Sequence, residues 1–278
     1  MDLSRVQRIA AYSVGETGGN PAGVVIADSL PEGAAMQALA AEVGHSETAF
    51  AAPEGDGWRV RYFAPAIEVP FCGHATIALG AALALRHGHG CYALRLNEGA
   101  ITVEGWREGG LRAALQSPPT RSEPAPTALL GEALELFGIG PGALDPRIPP
   151  SLAEAGARHL VLALRERSAL AAMHYDLARG AAMMAAAGLA TVALVQAEGP
   201  SLFHARNAFA VGGVAEDPAT GAAAAALGGL LRDLGWPHGG RIEIRQGEDM
   251  GVPCLLHAAI PVERGASVRV SGSARLIG

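Results

Sequence analysis

The hydrophobic positions of the chain predict short strands separated by two helices in the first hundred residues. Apolar residues at Met36, Leu39 and Val43 have the 3–4 spacing of a helix with one buried face, over Gly33–Val43. A second segment, about His74–Leu85, is apolar almost all round, which is typical of a helix buried on every side. Runs rich in β-forming residues predict strands at Arg8–Val14, Ala22–Ala27, Trp58–Phe63, Cys91–Leu96 and Ile101–Val103.

The second part of the chain has the same plan. A polar Pro/Ser-rich stretch, Ser117–Pro124, predicts a linker between the two parts. Beyond it, a segment from about Gly221 to Leu231 is again apolar on all faces. The uncharged stretch Gly180–Ala197 is divided by Gly188 into a helix end and a strand, so we predict no membrane span there. Further strands are predicted at His159–Leu164, Thr191–Gln196, Ser201–Phe209, Arg241–Ile244 and Cys254–Ile260.

The two all-apolar helices resemble each other in sequence. A shift of 148 residues superposes positions 68–83 on 216–231 with eight identities, including a shared Glu-x-Pro-x-x-Gly motif that leads into each helix. We therefore predict an α/β protein made of two similar halves, each wrapped around one central helix. The predicted halves are residues 1–118 and 119–267, with a last strand at about 268–278 able to return to the first half.

Composition excludes several classes of protein. The formal charge of −6 argues against nucleic-acid binding, which needs a basic face. All 21 basic residues are arginine, and the absence of lysine excludes a P-loop and a pyridoxal-phosphate Schiff base. Three cysteines without zinc-site spacing give neither a disulfide framework nor a metal site. The N-terminus lacks the build of a signal peptide, so we expect a cytoplasmic protein. As separate predictions, we expect that it needs neither cofactor nor metal and binds no membrane.

The starts of the two central helices are candidate binding sites for an anion. Gly73 and Gly221 each lie where an extended segment enters a buried helix. The first turn of a helix leaves backbone N–H groups without partners, and glycine lets a ligand approach them closely. Two such starts would bind a small carboxylate without lysine. Glycine-assisted packing alone would explain either one taken singly.

Several motifs along the chain resemble those of the PhzF family, and they occur in order from residue 19 to residue 272. Together they are specific, although each is weak alone. The segments are Gly19-Asn20-Pro21-Ala-Gly-Val-Val, Met36-Gln37, His45-Ser46-Glu47-Thr48-Ala-Phe50, Arg61-Tyr-Phe63-Ala-Pro65, Phe71-Cys72-Gly73-His74-Ala-Thr76, Glu216-Asp217-Pro218-Ala-Thr220-Gly221, Gln246-Gly247 and Val270-Ser271-Gly272.

The resemblance implies the fold of diaminopimelate epimerase and proline racemase. In that fold two pseudo-symmetric domains each curve a mostly antiparallel sheet around a helix, and the active site lies between them. It also implies a homodimer and an isomerase like those of phenazine biosynthesis, which move a proton between carbons without a cofactor.

The resemblance also implies site residues. Glu47 matches the family's catalytic carboxylate, and its apolar neighbours suit a buried carboxylate that exchanges a proton with carbon. His74 and Asp217 match the catalytic pair that orients the substrate, one at each helix start. Asn20 matches a position near the site but has an alternative role in a turn. The expected substrate-binding residues are Asn20, Cys72, Gly73, Thr220, Gly221 and Ala222.

Two departures from the family pattern keep alternatives open. Ala222 stands where many members have serine, so one donor to the substrate anion is missing. Cys72 occupies the place of one catalytic thiol of the related racemases, but no second cysteine lies near Asp217, and a small buried residue explains Cys72 equally. Two alternatives to the isomerase stay open: an epimerase or racemase, and a catalytically silent protein that binds small acids.

The polar residues His204 and Arg206 lie on a predicted strand. Side chains alternate along a strand, so the two should lie on one face, which we expect to be solvated.

Overall fold

The computed structural model of the protein describes residues 3–97 and 99–278. The chain forms two compact units, of which unit 1 is Met1–Gln116 with Ser271–Gly278 and unit 2 is Ser117–Val270. Each unit has a curved mixed sheet around one helix. Among the described residues, no helix is both long enough and apolar enough to span a bilayer.

In its described part, unit 1 contains two α-helices, and its strands come from both ends of the chain. The helices are α1 (Gly33–Val43) and α2 (Gly73–His87). The strands are β1 (Gln7–Ser13), β2 (Asn20–Ile26), β3 (Thr48–Glu54), β4 (Gly57–Phe63), β5 (Glu68–Val69), β6 (Gly90–Arg95), β7 (Ala100–Trp106) and β8 (Arg112–Gln116), together with most of β17 (Arg269–Leu276), which pairs with β1.

Unit 2 contains four α-helices, and three of them share one apolar cluster with the sheet. The helices are α3 (Thr127–Phe137), α4 (Arg167–Ala171), α5 (Leu177–Ala187) and α6 (Gly221–Asp233). The strands are β9 (Arg121–Pro124), β10 (Ser151–Glu154), β11 (Arg158–Leu164), β12 (Thr191–Ala197), β13 (Leu202–Ala208), β14 (Glu216–Asp217), β15 (Arg241–Gln246) and β16 (Cys254–Ala259).

The strand pairing of unit 1 is repeated in unit 2. In unit 1, β1–β2 is antiparallel, β2–β3 is parallel, β3–β4 and β4–β5 are antiparallel, β4–β6 is parallel and β6–β7 is antiparallel. In unit 2, the same order of pairings runs from β10 to β16. The two units therefore share one topology, and the α/β fold with duplicated halves is confirmed.

The central helices are α2 and α6. Helix α2 packs against β1, β2, β7 and β8, and α6 packs against β9, β10, β11 and β16. Small residues make this close packing possible. A Cβ atom at Gly105 in β7 would lie 2.1 Å from the carbonyl oxygen of Gly80 in α2, so only glycine fits there. Alanine-rich helices thus lie deep inside each sheet, as their sequence predicted.

Most predicted elements are confirmed to within a few residues, but the predicted linker is wrong in part. Residues Arg121–Pro124 form β9, which pairs antiparallel with β10. Its single proline lies at the end of the strand, where proline is tolerated. Sequence reasoning also missed the strands β3, β5, β8, β10 and β14 and the helices α3 and α4. The division of Gly180–Ala197 is confirmed, because α5 ends before Gly188, whose φ is +63°, and β12 follows.

Candidate active site

The start of α2 is held by a short hydrogen-bond network. Cys72 is the last extended residue before the helix, with φ −145°, and its carbonyl oxygen accepts hydrogen bonds from the Thr76 amide and hydroxyl at 3.0 and 2.7 Å. The Thr76 hydroxyl also lies 2.7 Å from the hydroxyl of Tyr62. Burial raises the pKa of Tyr62, so this phenol keeps its proton. The backbone at the helix start is therefore well fixed.

Glu47 lies between α1 and β3, with its side chain turned into unit 1. Its carbonyl oxygen accepts a hydrogen bond from the Gly23 amide of β2 at 3.1 Å. Its side chain is 16% exposed, and Oε2 is 3.3 Å from Nε2 of His74. Oε2 is shielded from solvent and has no hydrogen-bond partner among the described residues. A carboxylate oxygen in that setting retains a lone pair able to take a proton.

His74 is the second helical residue of α2 and brings three polar groups together. Its Nε2 is 3.1 Å from the hydroxyl of Ser46, and its Nδ1 is 3.4 Å from Sγ of Cys72. Polar atoms of Glu47, Cys72 and His74 all lie within 4.8 Å of one another. The structure therefore brings Glu47 next to Cys72 and His74, which share one motif and follow Glu47 by 25 and 27 positions in the sequence.

Asn20 lies in the same unit, next to a strained part of β1. It begins β2, is 2% exposed and stands opposite Ala11. The register between β1 and β17 shifts between Ala11 and Ser13, where Tyr12 has φ +61°. A non-glycine residue in that region is uncommon and is tolerated where surrounding structure enforces it. Asn20 thus lies opposite the residue that precedes this irregularity of β1, and its contact with substrate stays a prediction.

The start of α6 in unit 2 has a different side-chain network on the same backbone plan. Thr220 is the extended residue before Gly221, and its hydroxyl donates to Oδ2 of Asp217 at 2.7 Å. Gln246, which is 2% exposed, donates to the Asp217 carbonyl oxygen at 2.7 Å. Its Oε1 accepts from the Thr220 amide at 3.2 Å. Ala222 follows Gly221 and has no polar side chain, so the binding capacity of this turn lies in its amides and in Asp217.

Gln246 and Gly247 support the turn that carries Asp217, although sequence reasoning treated them only as part of a motif. Gly247 has φ +76°, and a Cβ atom there would lie 2.2 Å from the carbonyl oxygen of Val252 and 2.9 Å from that of Pro218. Only glycine allows this approach. The Gln-Gly pair is the signal that could have identified this support.

An arginine–glutamate pair precedes each helix start at equivalent positions. In unit 1, Nε of Arg61 donates to Oε1 of Glu68 at 2.7 Å, and this hydrogen bond lowers the pKa of Glu68. In unit 2, Nε of Arg206 donates to Oε2 of Glu216 at 2.9 Å. Each pair joins a long strand to the short strand before the central helix, and so fixes the path of the chain into the site.

The expected solvated face at His204 and Arg206 is wrong. Both residues are 8% exposed. Arg206 also donates to the carbonyl oxygen of Ala171 at 2.8 Å. His204 lies between the carboxylates of Glu198 and Glu248, at 2.7 and 3.1 Å. Strand alternation correctly gave one shared face, but acidic partners from other segments cover that face.

Comparisons with known proteins agree with this architecture. The family model for phenazine biosynthesis-like proteins, PhzC-PhzF, matches residues 9–277. The chain belongs to this family. A Deinococcus radiodurans protein named an uncharacterized isomerase is 33% identical, over 98% of this chain and 92% of its own. The trans-2,3-dihydro-3-hydroxyanthranilate isomerase of Pseudomonas aeruginosa is 31% identical, over 98% and 96%.

Solved structures show the same fold. A Pseudomonas aeruginosa protein described as a predicted epimerase superposes with a TM-score of 0.84 at 25% identity, covering 99% of this chain and 97% of its own. An Agrobacterium radiobacter protein described as a probable proline racemase superposes with a TM-score of 0.65 at 11% identity, covering 98% of this chain and 91% of its own. The PhzF assignment and the relation to the racemase fold are thereby confirmed. The roles of the individual site residues stay predictions.

Proposed function

We propose that this protein is an isomerase that moves a proton between two carbons of a small carboxylate-bearing substrate, with Glu47 as the acid and base. The observation that supports this most directly is the shielded Oε2 of Glu47, 3.3 Å from Nε2 of His74 and without a hydrogen-bond partner among the described residues. Relatives along the whole chain are named isomerases, which supports the reaction class.

The proposed reaction needs no external redox partner. Glu47 takes a proton from one carbon, the electron pair of the broken C–H bond moves into the adjacent unsaturated system, and the same carboxyl returns the proton to another carbon. His74 orients the substrate and the carboxylate. Asp217 and the amides of Gly221 and Ala222 bind polar groups of the substrate, since a helix start favours an anion.

The duplicated topology favours one base over two. Glu47 directly precedes Thr48, the first residue of β3, and the corresponding place in unit 2, Ala190-Thr191 at the start of β12, has no carboxylate. The counterpart of Cys72 is Thr220, so neither carboxylate nor thiol is duplicated. An epimerase that inverts a centre with two opposed bases would need a second such group. A single base suits transfer between carbons on one face.

Deuterium incorporation from heavy water tests the proposal, with the dihydro-hydroxyanthranilate of the Pseudomonas aeruginosa isomerase as the probe. We expect deuterium in the product carbon without inversion of any centre. Glu47→Gln should slow exchange by about 10²–10⁴-fold, the usual contribution of a positioned acid and base. Glu42→Gln, on the exposed side of α1, is the matched control and should exchange at the wild-type rate.

Three results would contradict parts of this proposal. Wild-type exchange by a folded Glu47→Gln protein would remove Glu47 from the mechanism. Inversion at the exchanged carbon would favour an epimerase. Binding of small carboxylates in a thermal-shift screen, without any carbon-bound exchange, would favour a silent binding protein. Location in the cytoplasm and assembly as a homodimer stay predictions from the sequence and the family resemblance.

A further inference from the structure

We propose that the protonated side chain of His204 positions the substrate-binding turn of unit 2, residues 217–221, and that substrate affinity falls when His204 loses its proton. We call residues 217–221 the binding turn and residues 247–252 the supporting turn. His204 acts through the supporting turn, so it is a positioning residue and not a catalytic one. The effect on affinity rests on the proposed function, whereas the contacts of His204 do not.

The supporting turn lies directly against the binding turn. A Cβ atom at Gly247 would lie 2.9 Å from the carbonyl oxygen of Pro218, so the two backbones are in close contact. Gln246, immediately before the supporting turn, donates to the carbonyl oxygen of Asp217 at 2.7 Å. A shift of the supporting turn would therefore move the backbone that carries Asp217.

Acidic side chains of the supporting turn contact cations from two other elements. Oε2 of Glu248 lies 3.1 Å from Nδ1 of His204, in β13. Nη2 of Arg167, the first residue of α4, donates to Oδ1 of Asp249 at 3.0 Å and lies 3.5 Å from Oε2 of Glu248. These contacts attach the supporting turn to β13 and α4, and so hold it in place against the binding turn.

The contacts of His204 require a proton on each ring nitrogen. Nε2 is 2.7 Å from Oε2 of Glu198, and Nδ1 is 3.1 Å from Oε2 of Glu248. A neutral imidazole has one N–H group and can donate to one carboxylate only, so the lone pair of its other nitrogen would face an oxygen of like polarity. The side chain is 10% exposed, which leaves little access for water to replace the lost donor. The hydrogen bond from His204 also lowers the pKa of Glu198, so this partner stays ionised at neutral pH.

The other charges around His204 set the size of the effect. The charged groups on the neighbouring elements are Glu198, Glu248, Asp249, Arg167, Arg206 and Arg245. Arg206 already bonds the carboxylate of Glu216, and Arg245 is exposed, so water screens its charge. When His204 loses its proton, Arg167 at 3.5 Å is the cation that remains beside Glu248 among the described residues. The supporting turn is then loosened and not detached, which predicts a modest change in affinity.

Steady-state kinetics of His204→Gln test the effect on substrate, with the same dihydro-hydroxyanthranilate as the probe. KM should rise about 3–10-fold while kcat changes little, because the variant weakens binding and leaves the proton transfer alone, and partly exposed ion pairs contribute less than buried ones. The ratio of the variant and wild-type KM values should approach one as the pH is raised, since the wild type then also lacks the imidazolium. His257→Gln is the matched control, because its Nδ1 lies 3.8 Å from the carboxylate of Glu243 in the same sheet, and its KM should equal that of the wild type.

Amide hydrogen exchange of the supporting turn tests the attachment without substrate. The amides of Met250 and Val252 donate to the carbonyl oxygen of Gly247 at 3.1 and 3.0 Å. Their protection should fall about 3–10-fold in His204→Gln and stay unchanged in His257→Gln. Glu248→Gln should reproduce the loss, and the double variant should lose no more than either single one, because both changes break one contact. This second variant keeps the test decisive if His204→Gln fails to fold.

Several results would overturn the proposal. Equal protection of the supporting turn in the wild type and His204→Gln would show that His204 does not hold it. A KM ratio that stays constant as the pH is raised would show that the proton of His204 has no part in binding, and additive losses in the double variant would show separate roles for His204 and Glu248. A wild-type protein that neither binds nor converts the probe would count against the proposed function, while the exchange of the supporting turn would still decide the role of His204.

Discussion

His159 makes the stability of unit 2 sensitive to acid. It lies in β11 and is 1% exposed, with Nδ1 2.8 Å from the hydroxyl of Thr191. That hydroxyl donates to Oδ1 of Asn207 at 3.1 Å, so the imidazole must donate from Nδ1. Its Nε2 has no hydrogen-bond partner among the described residues. A proton on Nε2 would therefore be buried without an acceptor, and burial lowers the pKa of His159 to about 4.

The magnitude follows from the difference between the folded and unfolded pKa. In the unfolded chain His159 binds a proton below its ordinary pKa of 6.5, while the folded protein accepts one only near pH 4. Between those values the unfolded state holds more protons, so the free energy of unfolding falls as the pH falls. Each pKa unit is worth about 1.4 kcal/mol, and the whole loss is about 3 kcal/mol.

Replacing His159 by glutamine removes this dependence. His159→Gln should be less stable than the wild type at pH 7, because it loses the buried hydrogen bond between Nδ1 and the Thr191 hydroxyl, at a cost of about 1–3 kcal/mol. Glutamine does not titrate, so the wild type should lose its advantage as the pH falls towards 4. The difference in free energy of unfolding between the two proteins should shrink by about 3 kcal/mol, or reverse.

Urea denaturation at a series of pH values, followed by circular dichroism, measures this difference. His174→Gln, at an exposed position of the same unit, is the control and should follow the wild type throughout. A wild-type advantage over His159→Gln that stays constant from neutral pH to pH 4 would show that the buried imidazole takes up its proton in the folded state as easily as in the unfolded chain. The argument from burial would then fail.

Three glycine substitutions follow from close contacts. Gly80→Ala should lower the free energy of unfolding by about 1–3 kcal/mol, because its Cβ would lie 2.5 Å from Cγ2 of buried Val103. At the equivalent Gly228 the nearest atom is 3.1 Å away, and a helix-propensity gain of about 1 kcal/mol should leave Gly228→Ala nearly neutral in thermal unfolding; equal losses would refute the packing argument. Gly247→Ala should cost at least about 2 kcal/mol, because φ is +76° and Val252 blocks a Cβ, and should weaken substrate binding measured by calorimetry; a stable variant with unchanged affinity would contradict this.

The central helices were predicted correctly because their composition, almost entirely apolar and small residues, is typical of a helix buried on all sides. A segment such as Gly221–Asp233, made of alanine, leucine and glycine, has no polar face to turn outward. Strand β9 shows the opposite case. Arg121–Pro124 is polar and has no local preference for a strand, and only pairing with β10, 30 residues later, makes it one. Tertiary pairing of this kind cannot be seen in a local pattern.

The candidate site also has parts that a local sequence pattern predicts and parts that depend on tertiary contacts. Proximity of Cys72 and His74 follows from one motif, and the family resemblance supplied Glu47, but no spacing places Oε2 of Glu47 beside Nε2 of His74. Arg206 was misjudged for a related reason. Alternation along β13 fixes the face of its side chain, while the character of that face depends on Glu216, which the next short strand brings back.

The two helix starts share one backbone plan but differ in the side chains around them. Both starts have an extended residue, then a glycine, then a buried helix, so both present first-turn amides. In unit 1 the surrounding side chains are ionisable: a carboxylate, an imidazole and a thiol. In unit 2 Thr220 donates to the Asp217 carboxylate and Gln246 donates to its carbonyl oxygen, and the start of β12, Ala190-Thr191, has no carboxylate. The ionisable side chains at the two helix starts are therefore distributed unequally, which supports the proposed transfer by a single base.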